Sequence, residues 1–135
     1  MKKVIVAVAI STLVLSILGI TMLYGAIYFL PELMEEYFSP VFRPAGKNDW
    51  LFLVHPLILS IALKWFWERY KSIFSGPLLL KAIEVALVYG IVSQVPVLWL
   101  TFGAIDISLP MIGTWLVYGL VQSFAAGLVF AKLNP

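Results

Sequence analysis

From Val4 to Leu30 the chain carries no charged residue. A helix needs roughly 20 apolar residues to cross the roughly 30 Å hydrocarbon core of a bilayer, so this one stretch is long enough to span it. Three more stretches follow. Trp50 to Trp67 is apolar except for His55 and Lys64, Leu78 to Phe102 is interrupted chiefly by Lys81, Glu84 and Gln94, and Leu109 to Ala131 has no charge. A segment alone in lipid must satisfy its own backbone, which a helix does. The sequence therefore predicts an all-α, polytopic integral membrane protein: an antiparallel bundle of four transmembrane helices at about 4–30, 50–70, 78–102 and 109–131. An outer loop covers 31–49, and 1–135 forms a single membrane domain.

Composition agrees. Hydrophobic residues make up 62% of the 135 and charged residues only 12%, far from the balance of a soluble domain, and a chain this short cannot hide so much apolar surface from water. A net charge of +2 leaves no footprint for nucleic acid. The absence of cysteine excludes disulfides, thiol redox chemistry, thiolate metal sites and palmitoylation, and a single histidine excludes a multi-histidine metal site within one subunit. A Ser–His–acid arrangement would have to use His55 with Asp49, Glu35 or Glu36, and no nucleophile motif accompanies them. Neither a P-loop nor a dinucleotide fingerprint is present. No cofactor is expected, and a non-enzymatic role is preferred to an enzymatic one.

Lys2 and Lys3 before the first stretch resemble the start of a signal peptide, but the apolar run is far longer than the roughly 7–15 residues such a peptide uses. A retained helix is the expectation. Orientation follows from basic residues in short loops. Lys2, Lys3, Lys64, Arg69, Lys71, Lys81 and Lys132 fall on one side, Arg43 and Lys47 on the other. Both termini are thus expected in the cytoplasm, with the protein in the plasma (bacterial inner) membrane.

The outer loop opens with Pro31-Glu-Leu-Met-Glu-Glu-Tyr-Phe38, which suits a short interfacial helix: proline fits the first turn and Glu32, Glu35 and Glu36 complement its dipole. Those acids read as a solvated face rather than a cation site. The cytoplasmic loop KWFWERYKSIFSGP mixes cations with aromatic rings, placing Lys64, Trp65, Trp67, Arg69 and Lys71 in the headgroup zone, with membrane lipids, anionic ones included, as partners. Tyr24, Tyr28, Trp50 and Trp99 are expected in an outer aromatic belt, with Trp115 inside.

Helices in lipid pack through small residues. Gly119, Ser123, Gly127 and Ala131 recur every fourth position on the last helix, forming a contact stripe for another helix of the chain, a second copy or a larger membrane partner. Tyr24-Gly25 followed by Pro31, and Tyr89-Gly90 followed by Pro96, hint at two repeated hairpins.

Polar groups at membrane depth are functional candidates. At a rise of about 1.5 Å per residue, Glu84, Gln122, Ser123 and Ser11 fall at one height, an inner polar layer. His55, Gln94, Ser93 and Thr21 fall at another, where Pro56 and Pro96 free backbone carbonyls; this outer layer is expected to line a small polar cavity open outward.

The long first helix ending in Leu23-Tyr24-Gly25, the proline-containing outer loop and the short tail after Lys132 resemble small four-helix bacterial integral membrane proteins of unknown function. That resemblance implies fold and topology. The chain differs from small multidrug transporters, whose essential glutamate lies in the first helix, and from quinone-linked thiol oxidoreductases, which need cysteines. Three roles follow in order of preference: a structural or assembly protein packing through its fourth helix, a small transporter or channel using the polar layers, and a lipid-binding or lipid-modifying protein.

Overall fold

The computed structural model describes residues 2–44, 46 and 49–135; Lys47, counted above among the outer basic residues, lies outside them. Every regular element among the described residues is a helix or a helical turn, with no strand. Helix α1 (Lys2–Phe29) is followed by the single turn α2 (Pro31–Met34) and a 3-10 turn, Glu35–Phe38. Then come α3 (Asp49–Tyr70), α4 (Leu78–Tyr89), a π turn (Gly90–Gln94), α5 (Val95–Ala104) and α6 (Leu109–Leu133). α4, the π turn and α5 run on as one rod from Leu78 to Ala104, so among the described residues four helices are long and apolar enough to cross a membrane.

The breaks follow from local chemistry. Leu30 leaves the helical region (φ −131°, ψ 50°) because Pro31 disfavours a helical conformation in the residue before it. Pro56, by contrast, is buried within α3, which continues through it. In the third rod the π turn immediately precedes Val95-Pro96, and the Val95 N–H reaches back five residues to the Gly90 carbonyl. Widened turns of this kind accommodate breaks in the regular hydrogen-bond ladder. Tyr24-Gly25 and Tyr89-Gly90 therefore sit in unlike backbones, regular α-helix in one case and the entrance to a π turn in the other.

Consecutive rods run antiparallel. Ala82 lies against Gly127, Leu120 against Gly90, and Gln94 against Gly119. α6 is the central element: it packs on α1 and on α4, while α3 packs on α1 and more lightly on α6. The third rod meets the bundle chiefly through α6.

The two ends differ in density. Call the end bearing Lys2 and Leu133 the terminal end, and the end bearing residues 30–44 and 105–108 the loop end. The buried residues of α1 (Ala7, Ser11, Leu15, Gly19), α3 (Pro56, Leu59, Ser60, Leu63, Lys64, Trp67) and α4 (Ala82, Val85, Ala86) lie from the middle to the terminal end. So do those of α6 from Gly119 to Ala131. α5 buries none of its residues, and at the loop end Ile107 and Met111 are the buried apolar side chains. Small residues explain the tight half. A Cβ on Gly127 would stand 3.0 Å from Ala82 Cα, the kind of backbone approach that packing in lipid uses. Gly25 and Gly113, in the loop half, face nothing within 4 Å. These glycines leave room instead of making contact.

Candidate functional site

That room is a cleft of about 690 Å³ between the loop halves of α1 and α6. Met22, Ala26 and Phe29 form one wall, Gly113, Val117 and Tyr118 the other, with Phe52 of α3 at the side. Small-molecule sites typically enclose roughly 300–1,000 Å³ and are mostly apolar; this cleft matches both. A second hollow of about 320 Å³ separates α5 from α6, between Leu98, Trp99, Ile112 and Leu116.

The outer loop roofs the larger cleft with Leu30, Met34 and Tyr37. Two contacts of long sequence separation fasten it. Trp115 Nε1 donates to the Tyr37 hydroxyl at 2.6 Å, and the Ser108 N–H donates to Glu36 Oε2 at 3.1 Å. Ser108 also caps α6, its hydroxyl accepting the Met111 N–H at 3.2 Å, so the Glu36 carboxylate sits at the helix N-terminus, where negative charge is favoured. The Phe42 ring lies 5.1 Å from Tyr37 and, edge-on, 6.1 Å from Trp115. The floor is Gly19, where a Cβ would meet the Tyr118 hydroxyl at 2.8 Å. Gln122 Nε2 donates to that hydroxyl at 3.0 Å.

The expected inner layer separates into parts. Ser11 is buried and accepts a 3.1 Å bond from Ser60, tying α1 to α3. Gln122 is buried beside Tyr118, with its Oε1 unpartnered. Ser123 turns back on its own helix, donating to the Gly119 carbonyl at 2.8 Å. Glu84 is half-buried, and its Oε2 has no partner.

The expected outer layer does not line a polar cavity. His55, Ser93 and Thr21 are exposed on the outside of the bundle, and Thr21 donates to the Ile17 carbonyl of its own helix at 2.9 Å. Gln94 turns inward instead, its side chain lying over Gly119, with Tyr89 beside it. The cavity at this height is the apolar cleft. Matching heights could not predict this, because height fixes depth but not the face of the helix on which a residue stands.

The stripe Gly119, Ser123, Gly127 and Ala131 is buried. Gly127 faces Ala82 and Val85, and Gly119 faces Gln94, so both glycines meet the third rod of the same chain.

Lys64 and Trp67, expected in the headgroup zone, are both buried. The Lys64 ammonium lies 2.6 Å from Glu68 Oε1 and 5.2 Å from the centre of the Phe130 ring, without a well-angled hydrogen bond. Trp67 Nε1 donates to the Asn134 carbonyl at 2.8 Å, and its ring stacks on Phe74 at 5.7 Å. Asn134 Nδ2 also donates to Glu68 Oε1. Trp65 is exposed with Arg69 over its ring at 5.5 Å, and Lys71 lies 3.8 Å from Glu68 and donates to the Pro135 carbonyl at 3.0 Å. The terminal end is thereby tied together by α3, the 71–77 turn and the end of α6. Tyr24, Tyr28, Trp50 and Trp99 are exposed, and Trp115 is half-buried in the roof contact.

Ser60, Tyr37 and Tyr118 were not singled out by the sequence. Ser60 had a signal, a hydroxyl within an apolar helix at a height close to that of Ser11; the tyrosines read as ordinary aromatic residues. Comparison with protein-family models, with curated proteins and with solved structures finds no match.

Proposed function

We propose that this protein is a multi-pass membrane protein that holds one lipophilic molecule in the cleft between α1 and α6, on the side of the membrane opposite its termini. The observation that carries this reading is the cleft itself: about 690 Å³, apolar, roofed by a fastened loop, and next to two glycines that leave space unfilled. The loop end supplies the shape, and the terminal end the rigidity. Assembly through the α6 stripe is less favoured, because those small residues already receive the third rod; a second copy or larger partner would have to dock on another face.

We further propose that the terminal end faces the cytoplasm at the plasma membrane, where exposed Lys2, Lys3 and Arg69 would meet anionic headgroups. The charge bias supports this. A membrane-impermeant amine reagent should modify Lys2 and Lys3 in inside-out vesicles but not in right-side-out ones; the reverse pattern would invert the orientation.

A ligand that binds only the folded state raises stability, by about 2.7 kcal/mol at 100 times its Kd. Hexadecane added to the purified protein in nanodiscs is therefore expected to raise its unfolding temperature. Gly25→Phe and Gly113→Phe place a ring in open space and should fold yet abolish that rise. An equal rise in the filled variants would place the effect outside the cleft.

A further inference from the structure

Among the described residues the cleft has a boundary on every side but one. α1 and α6 flank it, Phe52 of α3 stands at one side, Leu30, Met34 and Tyr37 roof it, and Gly19 and Tyr118 close the floor. On the side away from α3 no residue of α4, the π turn or α5 lines it, because the third rod packs on α6 rather than on α1. Leu23, Phe29 and Val117 line the cleft and are nonetheless exposed. Gly19 and Phe29 stand ten residues apart on α1, about 15 Å along its axis. That is the depth of one leaflet of a roughly 30 Å hydrocarbon core, so the open side of a membrane-spanning cleft meets acyl chains along its whole length.

The interior asks for no polar group. Trp115 donates to Tyr37 at 2.6 Å, Thr114 donates to the Met111 carbonyl at 2.7 Å, and the Tyr118 hydroxyl lies 3.0 Å from Gln122 Nε2. Each polar side chain of the lining thus has a partner within the protein, and plain hydrocarbon leaves none of them unpaired. The rim is different. Residues 30–49 and 105–108 carry Glu32, Glu35, Glu36, Asp49 and Asp106 against Arg43 and Lys47, and Glu32, Glu35 and Asp106 are exposed.

We propose, resting on the cleft as a lipophile site, that its occupant is one acyl chain of a zwitterionic phospholipid, drawn sideways from the leaflet at the loop end. The chain lies along α1 with its methyl end toward Gly19, and the headgroup stays at the interface beside the roof. Depth and opening select a bilayer lipid, because its chain reaches the floor without leaving hydrocarbon and without unfastening the roof. Charge selects the head, since an anionic headgroup would meet charge of its own sign at the rim.

The test uses phosphatidylcholine carrying a diazirine on one sixteen-carbon chain, either near the ester or near the methyl end, photo-crosslinked to the full chain in nanodiscs. The near-ester label should mark residues 29–37 and 110–114, and the near-methyl label residues 19–23 and 117–118. Both sets should disappear in Gly25→Phe; Gly113→Phe repeats the comparison from the opposite wall should the first variant fail to fold. At low salt, phosphatidylglycerol with the same labels should crosslink about threefold less, the scale of an exposed charge interaction. The combined variant Glu32→Gln, Glu35→Gln, Asp106→Asn should remove that difference. Labels that mark the same residues whatever their depth, or crosslinks that persist in both filled variants, would overturn the acyl-chain assignment; a hexadecane-induced rise in unfolding temperature would then still leave the cleft reading standing. Equal or stronger crosslinking of phosphatidylglycerol would overturn the headgroup selection. Loss of the crosslinks and of the hexadecane effect together would remove the lipophile site itself.

Discussion

Lys64 shows how one side chain can be misplaced by its sequence neighbourhood. Set among Trp65, Phe66, Trp67 and Arg69, it reads as part of an interfacial anchor, yet it is buried with its ammonium between Glu68 and the Phe130 ring. The i,i+4 spacing to Glu68 was visible in the sequence and is the arrangement that pairs charges on one helix face. Phe130 and Asn134 were not visible, because they arrive from the far end of the chain. Removing one member of such a pair leaves a buried charge unmatched, whereas replacing the pair with apolar groups is often neutral. Glu68 is partly exposed, which moderates the cost. Glu68→Ala should lower unfolding stability in detergent by about 1–3 kcal/mol, and Lys64→Met added to it should restore most of the loss. A double variant less stable than Glu68→Ala would show that Lys64 contributes through something other than the pair.

At the scale of elements, α6 uses glycine in two opposite ways. The sequence showed the four-residue stripe clearly, because small residues at that period are a packing signal in lipid. It did not show which helix fills the stripe, since that depends on topology. Gly113 carries no periodic mark, and its role follows from what is missing opposite it. The two should respond differently to the same change. Gly127→Ile drives a side chain into the Ala82 backbone and is expected to cost about 1–3 kcal/mol as overpacking, read as a lower unfolding temperature. Gly113→Ile should leave that temperature within the small range typical of uncrowded sites. If Gly127→Ile instead changed the oligomeric state while leaving stability intact, the stripe would lie between copies of the chain.

For the whole molecule, the four helices and their order were legible from apolar run lengths alone. The uneven packing was not. Hydropathy is high along each of the four spans, so nothing in it separates a closed half from an open one; the distinction lies in which small residues have neighbours. The terminal end combines a small-residue core with the Lys64–Glu68–Asn134 contacts, while at the loop end α1 and α6 flank a half-open cleft beneath the Pro31–Phe38 roof. On the reading proposed above, that asymmetry would let the closed half of the bundle support an apolar ligand held in the open half. Mapping the photo-crosslinks of a sixteen-carbon alkane carrying a diazirine, with the full chain in nanodiscs, tests it most directly. They are expected to concentrate on residues 19–37 and 110–118 and to disappear from both segments in Gly25→Phe, with the unfolding temperature preserved. Crosslinks spread evenly over the outward faces of all four helices, and unchanged by Gly25→Phe, would contradict a bound molecule in the cleft.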